Sequence, residues 1–207
     1  DIQLGLMPKH DLGDVVADRI SLADAIIHYE EGSFDILAGK SGSGALALLS
    51  STRIAELRDG VLGLASRYDK MIIDLGAGVE SGVRALSGND GTILVVTNEE
   101  PTSITDAYAF IKITAIKNSE ADLRIVVNQA PGVEDGHRTY GALKQACESF
   151  LKISPPLAGV IRRDEKVRDA IRHQSPLLLR HPNCKAAQDV EAIAARLMIS
   201  ETEHLVV

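Results

Sequence analysis

The chain has 207 residues, 45% of them hydrophobic and 25% charged, which suits a globular domain with a sizeable core. Its formal net charge is -7, and its dispersed basic residues disfavour a direct nucleic-acid groove. No stretch of about 18 apolar residues and no secretory pattern is present. Cys147 and Cys184 lack Cys-x-x-Cys spacing, as is typical of reduced thiols in a cytosolic protein.

Five short runs rich in Val and Ile predict β-strands, each closed by polar or turn residues. The runs are residues 34–38, 71–75, 92–97, 123–128 and 157–161. The middle three do not alternate strictly between apolar and polar residues, which is typical of parallel strands covered on both faces.

Helical patterns separate these runs, because apolar residues recur on one stripe in residues 54–64, 104–115 and 190–197. Thr102 or Ser103 is predicted to cap the second of these helices, and Asp164 to cap a further helix that follows it. Strands that alternate with helices predict an α/β fold, a three-layer doubly wound and mostly parallel sheet. No linker divides the chain, so a single domain is predicted over residues 1–207.

Open sheets of this kind bind ligands outside the carboxyl ends of their strands. The residues predicted at those ends are Gly39, Asp74, Thr97, Asn128 and Arg162. These positions are therefore the first candidates for a site.

The segment that ends in Asp74, Gly76 and Gly78 is the strongest local signal. A carboxylate at a strand end can hold Mg²⁺ through water, and glycines let backbone N–H groups approach a terminal phosphate. The alternative is that Asp74 caps the following helix while the glycines form a turn.

Gly39, Lys40 and Ser41 resemble the end of a phosphate-binding loop, but the motif Gly-x-x-x-x-Gly-Lys-Ser/Thr requires glycine at position 34. Phe34 stands there, inside an apolar run. The segment is therefore interpreted as a strand-to-helix turn, with a small anion nest at residues 42–44 as the alternative.

Asn128 and Gln129 end a strand with carboxamides, which can donate to and accept from the edge of an adenine. Arg162 can stack on a base or remain solvated, and Asp164 stands beside it. Each of these residues can instead serve as a cap or turn former. The six histidines are dispersed, so no metal cluster is predicted.

Together these segments resemble the MinD/ParA family of deviant-Walker ATPases, and within it the FlhG/FleN branch of flagellar-number regulators. The resemblance spans nearly the whole chain, and its most specific part is residues 97–108. Residues 68–78 resemble the switch II strand of the family, and residues 126–129 and 159–164 its adenine-contacting segments.

The resemblance implies a P-loop NTPase-like fold, ATP or ADP with Mg²⁺ as cofactors, and a homodimer that sandwiches ATP. Asp74 would hold magnesium-bound water, Gly76 and Gly78 would meet the terminal phosphate, and Asn128 with Gln129 would contact adenine near Arg162 and Asp164. It also implies a cytoplasmic protein that meets the inner face of the membrane peripherally and binds partners of flagellar or cell-pole placement.

The sequence departs from the family at several points. The family's Lys-Gly-Gly-x-Gly-Lys-Thr loop and first strand would precede Asp1, and Arg162 stands where proline is usual. We therefore expect no ATP hydrolysis by these residues alone. Two explanations stay open: a truncated ATPase, which the start inside a motif favours, or a degenerate, non-enzymatic interaction module. A phosphoacceptor receiver domain is a third reading, although Asn128 stands where a receiver has lysine.

Overall fold

The computed structural model describes residues 2–39, 50–75 and 91–204. Its internal contacts divide the chain into two compact units: Asp1–Gly88 with Gln174–Pro176, and Asn89–His173 with Leu177–Val207. The single domain predicted for residues 1–207 stays a prediction.

The first unit contains short elements with local stabilising contacts. Asp11 and Asp14 form a reciprocal capping box at the start of its first helix, and Ser50 accepts a hydrogen bond from the Arg53 N–H at the start of the second. The elements are α1 (Leu12–Val16), β1 (Ile26–Tyr29), β2 (Phe34–Leu37) and α2 (Ser51–Ala65), with single turns of 3₁₀ helix at Ile2–Leu4, Ala23–Ala25 and Glu30–Gly32.

The strand predicted at residues 34–38 is observed as β2, but among the described strands it pairs antiparallel with β1 and not with a parallel strand. Ser33 has a left-handed backbone with φ of 52°, which reverses the chain between the two strands. Cross-strand pairs then fix the register: the rings of Tyr29 and Phe34 are 5.2 Å apart, and His28 Nδ1 lies 2.6 Å from Asp35 Oδ1.

Residues 71–75 do not form the predicted strand. Ile72 is 91% exposed and Asp74 is exposed as well. An apolar run becomes a strand only when a neighbouring strand takes up its backbone hydrogen bonds. Within the described ranges no strand pairs with this run.

The second unit is a three-stranded parallel sheet in the order β3-β4-β5 with helices on both faces, which confirms the α/β class and the last three predicted strands. The elements are β3 (Ile93–Thr97), α3 (Pro101–Lys117), β4 (Leu123–Ala130), α4 (Val133–Phe150), β5 (Leu157–Arg162), α5 (Glu165–Arg172), α6 (Leu177–Arg180) and α7 (Lys185–His204). The long helix α4 was not predicted.

The core of this unit lies between the sheet and helices α3 and α4. Ile111 of α3 and Leu143 of α4 pack with Ile125 and Val127 of β4, and all four are fully buried. Burying a side chain of this size stabilises a fold by about 1.5–3 kcal/mol. On the opposite face, Ile193 of α7 packs on residues of β4 and β5.

Within residues 2–39, 50–75 and 91–204, β3 is covered on one face only, which differs from the predicted burial on both faces. Val95 is buried towards α3, whereas Leu94 is 40% and Val96 58% exposed. The buried cluster on that side of the sheet comprises Val126, Ala158 and Ile193, and none of these residues is from β3.

Helix α3 begins at Pro101, one residue before the predicted caps. Proline fits the first helical position because its missing N–H would have no helical partner there. Glu100 is the N-cap residue and makes no side-chain cap, so Thr102 and Ser103 lie inside the helix. No helix in the described part of the chain is long and apolar enough to cross a membrane.

Candidate functional site

The carboxyl ends of β3, β4 and β5 meet at one edge of the sheet because the strands are parallel. Thr97 is the last residue of β3, and Arg162 is the last residue of β5. Asn128 and Gln129 lie near the end of β4. Four of the predicted site residues, Asn128, Gln129, Arg162 and Asp164, thus belong to this edge.

Thr97 ties the end of β3 to the first turn of α3. Its side chain is only 2% exposed, and its Oγ1 lies 3.0 Å from Ser103 Oγ. Ser103 Oγ also accepts a hydrogen bond from the Asn98 N–H at 3.2 Å. Ser103 therefore stabilises the strand-to-helix loop rather than the helix start that the sequence predicted.

Asn128 and Gln129 lie at an irregular end of β4. The pairing of β4 with β5 shifts register between Val127 and Ala130, and Gln129 has a left-handed φ of 58°. The Gln129 N–H donates to Asn128 Oδ1 at 2.8 Å. Among the described residues the Asn128 amide nitrogen has no partner, so this half-buried group keeps two donors available.

Arg162 is held by Asp189 of α7. Its Nε and Nη2 donate to the two carboxylate oxygens at 2.8 Å each, and its backbone N–H donates to Asp189 Oδ2 at 2.9 Å. Desolvation alone would raise the pKa of Asp189, but the hydrogen bonds from Arg162 outweigh it and lower that pKa. The pKa of Arg162 is raised, mainly by its side-chain hydrogen bond to Asp189.

This ion pair orients the Arg162 guanidinium by two parallel hydrogen bonds to one carboxylate, the strong geometry for such a pair. Of the two alternatives for Arg162, the simply solvated side chain does not match the structure, because the half-buried Asp189 fixes the guanidinium. Asp189 lies 27 residues away, and no local sequence signal points to it.

Asp164 caps α5, as the sequence predicted. Its Oδ1 accepts from the Lys166 N–H at 2.9 Å, and its Oδ2 lies 3.5 Å from the Ala186 nitrogen near the start of α7. The Lys166 N–H is the largest cause of a pKa for Asp164 below its ordinary value. This carboxylate therefore already interacts with backbone N–H groups at the starts of two helices, α5 and α7.

A second ion pair crosses the edge of the sheet. Arg163 Nη2 lies 3.3 Å from Glu99 Oε1, which links the loop after β3 to the end of β5. The Arg163 N–H also donates to the Ala130 carbonyl at 2.8 Å.

Asp74 belongs to the first unit and is exposed. Gly76 and Gly78 lie outside the described residues, as do Lys40, Ser41 and the nest predicted at residues 42–44.

Two cavities lined by described residues lie away from the predicted site residues. One, of about 430 Å³, is lined by residues 6–10 and 24–28 in the first unit. The other, of about 210 Å³, lies at the amino end of β4 beside Asn118 and Ile153. The sheet edge with Thr97, Asn128 and Arg162 brings polar side chains together at the carboxyl ends of parallel strands, which makes it the better candidate site.

The thiols and histidines add no further site. Cys147 is buried in the core, and desolvation raises the pKa of its thiol. In the described ranges no group of three His, Cys, Asp or Glu side chains could hold a metal ion.

A parallel α/β sheet with polar side chains at its carboxyl edge is the architecture typical of nucleotide-binding α/β proteins. No model of a known protein family matches the chain. It is 30% identical over 197 residues to the antiactivator FleN of Pseudomonas aeruginosa, covering 95% of this chain and 70% of FleN. It is also 26% identical to the flagellum site-determining protein YlxH of Helicobacter pylori, covering 98% and 68% of the two chains.

The solved structures that resemble this chain point to the same kind of protein as the relatives do. MinD in the MinC:MinD cell division complex of Aquifex aeolicus matches with a TM-score of 0.73 and 26% identity, over 96% of this chain and 77% of that one. MinD of Pyrococcus horikoshii, solved with Mg-ADP, shares the fold with a TM-score of 0.72 at 20% identity, over 95% and 76% of the chains. The chain belongs to the MinD/ParA family of ATPases, and its resemblance to the FlhG/FleN branch is confirmed.

Proposed function

We propose that the chain is a regulatory domain of this family that switches partner binding with ATP, and that its nucleotide base lies at the carboxyl edge of β3, β4 and β5. The observation that carries the proposal is the Asn128 carboxamide, half-buried at the irregular end of β4 with its two N–H donors unused by the described residues. Membership of an ATPase family supports ATP as the ligand.

The residues of this edge fit an adenine. Asn128 Oδ1 accepts one hydrogen bond from the Gln129 N–H and retains a second lone pair, so the amide can both donate to and accept from the base. Arg162 keeps its guanidinium in a fixed plane through Asp189, which suits stacking on the face of a base. Gln129 is exposed beside Asn128 at the same end of β4, and its side chain can contact the ribose or the base.

Asp164 has a positioning role in this proposal. Its oxygens are engaged by the starts of α5 and α7, so it shapes the wall beside Arg162 rather than meeting the nucleotide directly.

Asp74, Gly76 and Gly78 would serve the phosphate end, by resemblance to the family. An exposed carboxylate such as Asp74 fits a hydrated Mg²⁺, because magnesium keeps several of its waters when it binds protein oxygens. When bound, Mg²⁺ supplies charge neutralisation to the phosphates.

The 207 residues contain no Gly-x-x-x-x-Gly-Lys-Ser/Thr segment. We therefore propose that they bind nucleotide weakly and do not hydrolyse ATP alone. ATP turnover that disappears on Asp74→Ala would refute this part.

The relatives indicate that proteins of this family act by binding other proteins. FleN is an antiactivator, and MinD forms a complex with MinC. We propose that this chain likewise acts by binding protein partners in flagellar or cell-pole placement, in the cytoplasm or at the inner face of the membrane, as a nucleotide-dependent homodimer.

Titration calorimetry with MgATP and with MgADP tests the proposal. We expect Asn128→Ala to weaken binding about tenfold, since a lost hydrogen bond of about 1–1.5 kcal/mol corresponds to that factor. Asn118→Ala is the matched control, because Asn118 caps a turn at the opposite end of the sheet with its Oδ1 on the Glu120 N–H. Heat from neither nucleotide would favour the non-enzymatic interaction module.

A further inference from the structure

The cavity of about 430 Å³ in the first unit has both basic and apolar residues in its lining. Lys9, His10 and His28 supply three side chains that can carry positive charge, and Asp24 supplies one carboxylate. The apolar residues of the lining are Leu6, Met7, Pro8, Ala25, Ile26 and Ile27. These ten residues are called the 6–28 cavity below. Its volume lies within the range of small-molecule sites, about 300–1,000 Å³.

Backbone hydrogen bonds connect the two segments that line the 6–28 cavity. The Leu12 N–H donates to the Ala38 carbonyl at 2.8 Å, which ties the start of α1 to the end of the hairpin of β1 and β2. His10 directly precedes α1, and His28 belongs to β1. The two histidines therefore come from elements that are bonded to each other.

Two carboxylates hold the histidine rings at their Nδ1 atoms. His28 Nδ1 lies 2.6 Å from Oδ1 of Asp35, its direct cross-strand partner, and His10 Nδ1 lies 3.4 Å from Asp14 Oδ2. An ionised carboxylate can only accept, so each ring directs its Nδ1 proton to the aspartate. The Nε2 atom of each ring is then the one left for another group.

The basic groups of the cavity are available to a ligand. In the part of the chain that the structure describes, neither Nε2 has a hydrogen-bonding partner, and Lys9 has no carboxylate within 4 Å. The Asp24 carboxylate, in contrast, accepts a hydrogen bond from the Ser21 hydroxyl at 2.6 Å. The cavity thus offers up to three positive groups against one carboxylate, although the chain as a whole has a net charge of -7.

We propose that the 6–28 cavity binds a small amphipathic anion. Its head group, a carboxylate or a phosphate, pairs with Lys9, His10 and His28, and its short hydrocarbon body lies against the apolar lining. Such a body covers Met7, which is 94% exposed, and removes apolar surface from water. This ligand is separate from the proposed nucleotide, because the cavity belongs to the first unit and Asn128 to the second.

Two other ligands match the cavity less well. Histidines backed by carboxylates are common around metal ions, but Lys9 would repel a cation. Among the described residues, moreover, no group of three His, Cys, Asp or Glu side chains could hold a metal. A purely inorganic anion would leave the apolar half of the lining unmatched.

Titrations followed by proton NMR of the histidine Cε1–H signals test the proposal on the full 207-residue chain. At about pH 6.5, where histidine is partly protonated, octanoate and octyl phosphate serve as the anionic probes. We expect half-saturation at about 1 mM or below. Of the six histidines, only His10 and His28 should give moving signals, which His10→Gln and His28→Gln assign.

Neutral, cationic and short probes separate the two halves of the interaction. Octanol and octylamine keep the hydrocarbon body without the negative charge, and acetate keeps the charge without the body. Each should bind at least about tenfold more weakly than octanoate, because each loses one of the two kinds of contact.

Variants test whether the anion binds in the cavity. Lys9→Gln/His28→Gln should weaken octanoate binding at least about tenfold, and Lys9→Gln alone at least about threefold. Lys112→Gln/His137→Gln is the matched control, because it removes one exposed Lys and one exposed His from α3 and α4. The control should bind as the parent chain does. Lys9 is exposed, so its single variant keeps the test valid if the double variant unfolds.

Several results would overturn the proposal. They are octanol or octylamine binding as tightly as octanoate, equal losses in the control variant, and no saturation by either anion up to about 10 mM. Saturation of the His10 and His28 signals by ZnCl₂ at a lower concentration than by octanoate would assign the cavity to a metal ion instead.

Discussion

Gln129, the residue before the last of β4, has a left-handed backbone with φ of 58°, which residues other than glycine rarely adopt. A residue with a Cβ in this region costs roughly 1–2 kcal/mol, because the Cβ crowds the following carbonyl oxygen. The Gln129 side chain is exposed, so its packing contributes little stabilisation to offset this cost. Strain at the end of a strand beside Asn128 is compatible with a functional position.

Gln129→Gly should therefore stabilise the fold, by about 0.5 kcal/mol after the greater freedom of glycine in the unfolded chain is subtracted. Urea unfolding followed by circular dichroism measures the change. Gln145→Gly is the control, because Gln145 is exposed inside α4 and glycine there should destabilise by about 1 kcal/mol. Equal losses in the two variants would contradict the strain at Gln129.

Asp169 gives the second prediction at the scale of single residues. The hydrogen bonds from Arg180 and then His181 hold the pKa of its carboxyl well below the ordinary value of 3.8. A depressed pKa means that the folded state favours the charged form. The stabilisation from Asp169 is therefore complete above pH 3.8 and is lost as the pH falls below it.

Asp169→Asn should flatten the loss of stability between about pH 5 and pH 2, because asparagine does not titrate. Urea midpoints at a series of pH values measure the slope. Asp106→Asn removes an exposed carboxylate of α3 that has no cation within 4 Å among the described residues, and it should keep the parent slope. A parent-like slope in Asp169→Asn would contradict the ion-pair cluster.

At the scale of elements, the sequence predicted the parts of the fold that depend on local patterns. Strands β3, β4 and β5 follow from continuous apolar runs, and the Asp164 cap follows from a side chain that can accept from the next turn. The hairpin of β1 with β2 was missed, because its reversal depends on the left-handed Ser33 and not on a glycine turn.

Helix α4 was missed for a related reason. Gly136 and Gly141 lie inside it, and glycine is a poor helix former. The Arg162–Asp189 pair could not be predicted because a contact between residues 27 positions apart depends on where α7 packs.

Gly136 of α4 lies directly against Val160 of β5. A Cβ at this position would lie 2.3 Å from Val160 Cγ1 and 2.7 Å from its Cγ2, shorter than any real contact. Gly136→Ala should therefore destabilise by about 1–3 kcal/mol, despite the better helix propensity of alanine.

Gly141→Ala on the same helix is the control, because a Cβ there meets nothing within 4 Å. It should stabilise by about 0.5–1 kcal/mol through propensity alone. In a Val160→Ala background, Gly136→Ala should lose most of its cost, since the clashing methyl groups are gone. A cost that persists in that background would show that the helix and strand are not in contact at this position.

At the scale of the whole molecule, the two buried clusters of the parallel sheet lie within residues 89–207. These clusters cover both faces of β4, the central strand of that sheet. A unit with its own core is expected to fold by itself. The four predicted site residues at the sheet edge, Asn128, Gln129, Arg162 and Asp164, belong to the same unit.

A fragment of residues 89–207 should therefore unfold cooperatively in urea, with near-ultraviolet circular dichroism that is lost in the same transition. Leu143→Ala provides the internal check, because Leu143 is fully buried between α4 and the sheet. The substitution should cost about 2–5 kcal/mol in the fragment and the same amount in the full chain, since its surroundings are identical in both. A fragment that unfolds without a cooperative transition, or that is insensitive to Leu143→Ala, would show that this core needs the first unit.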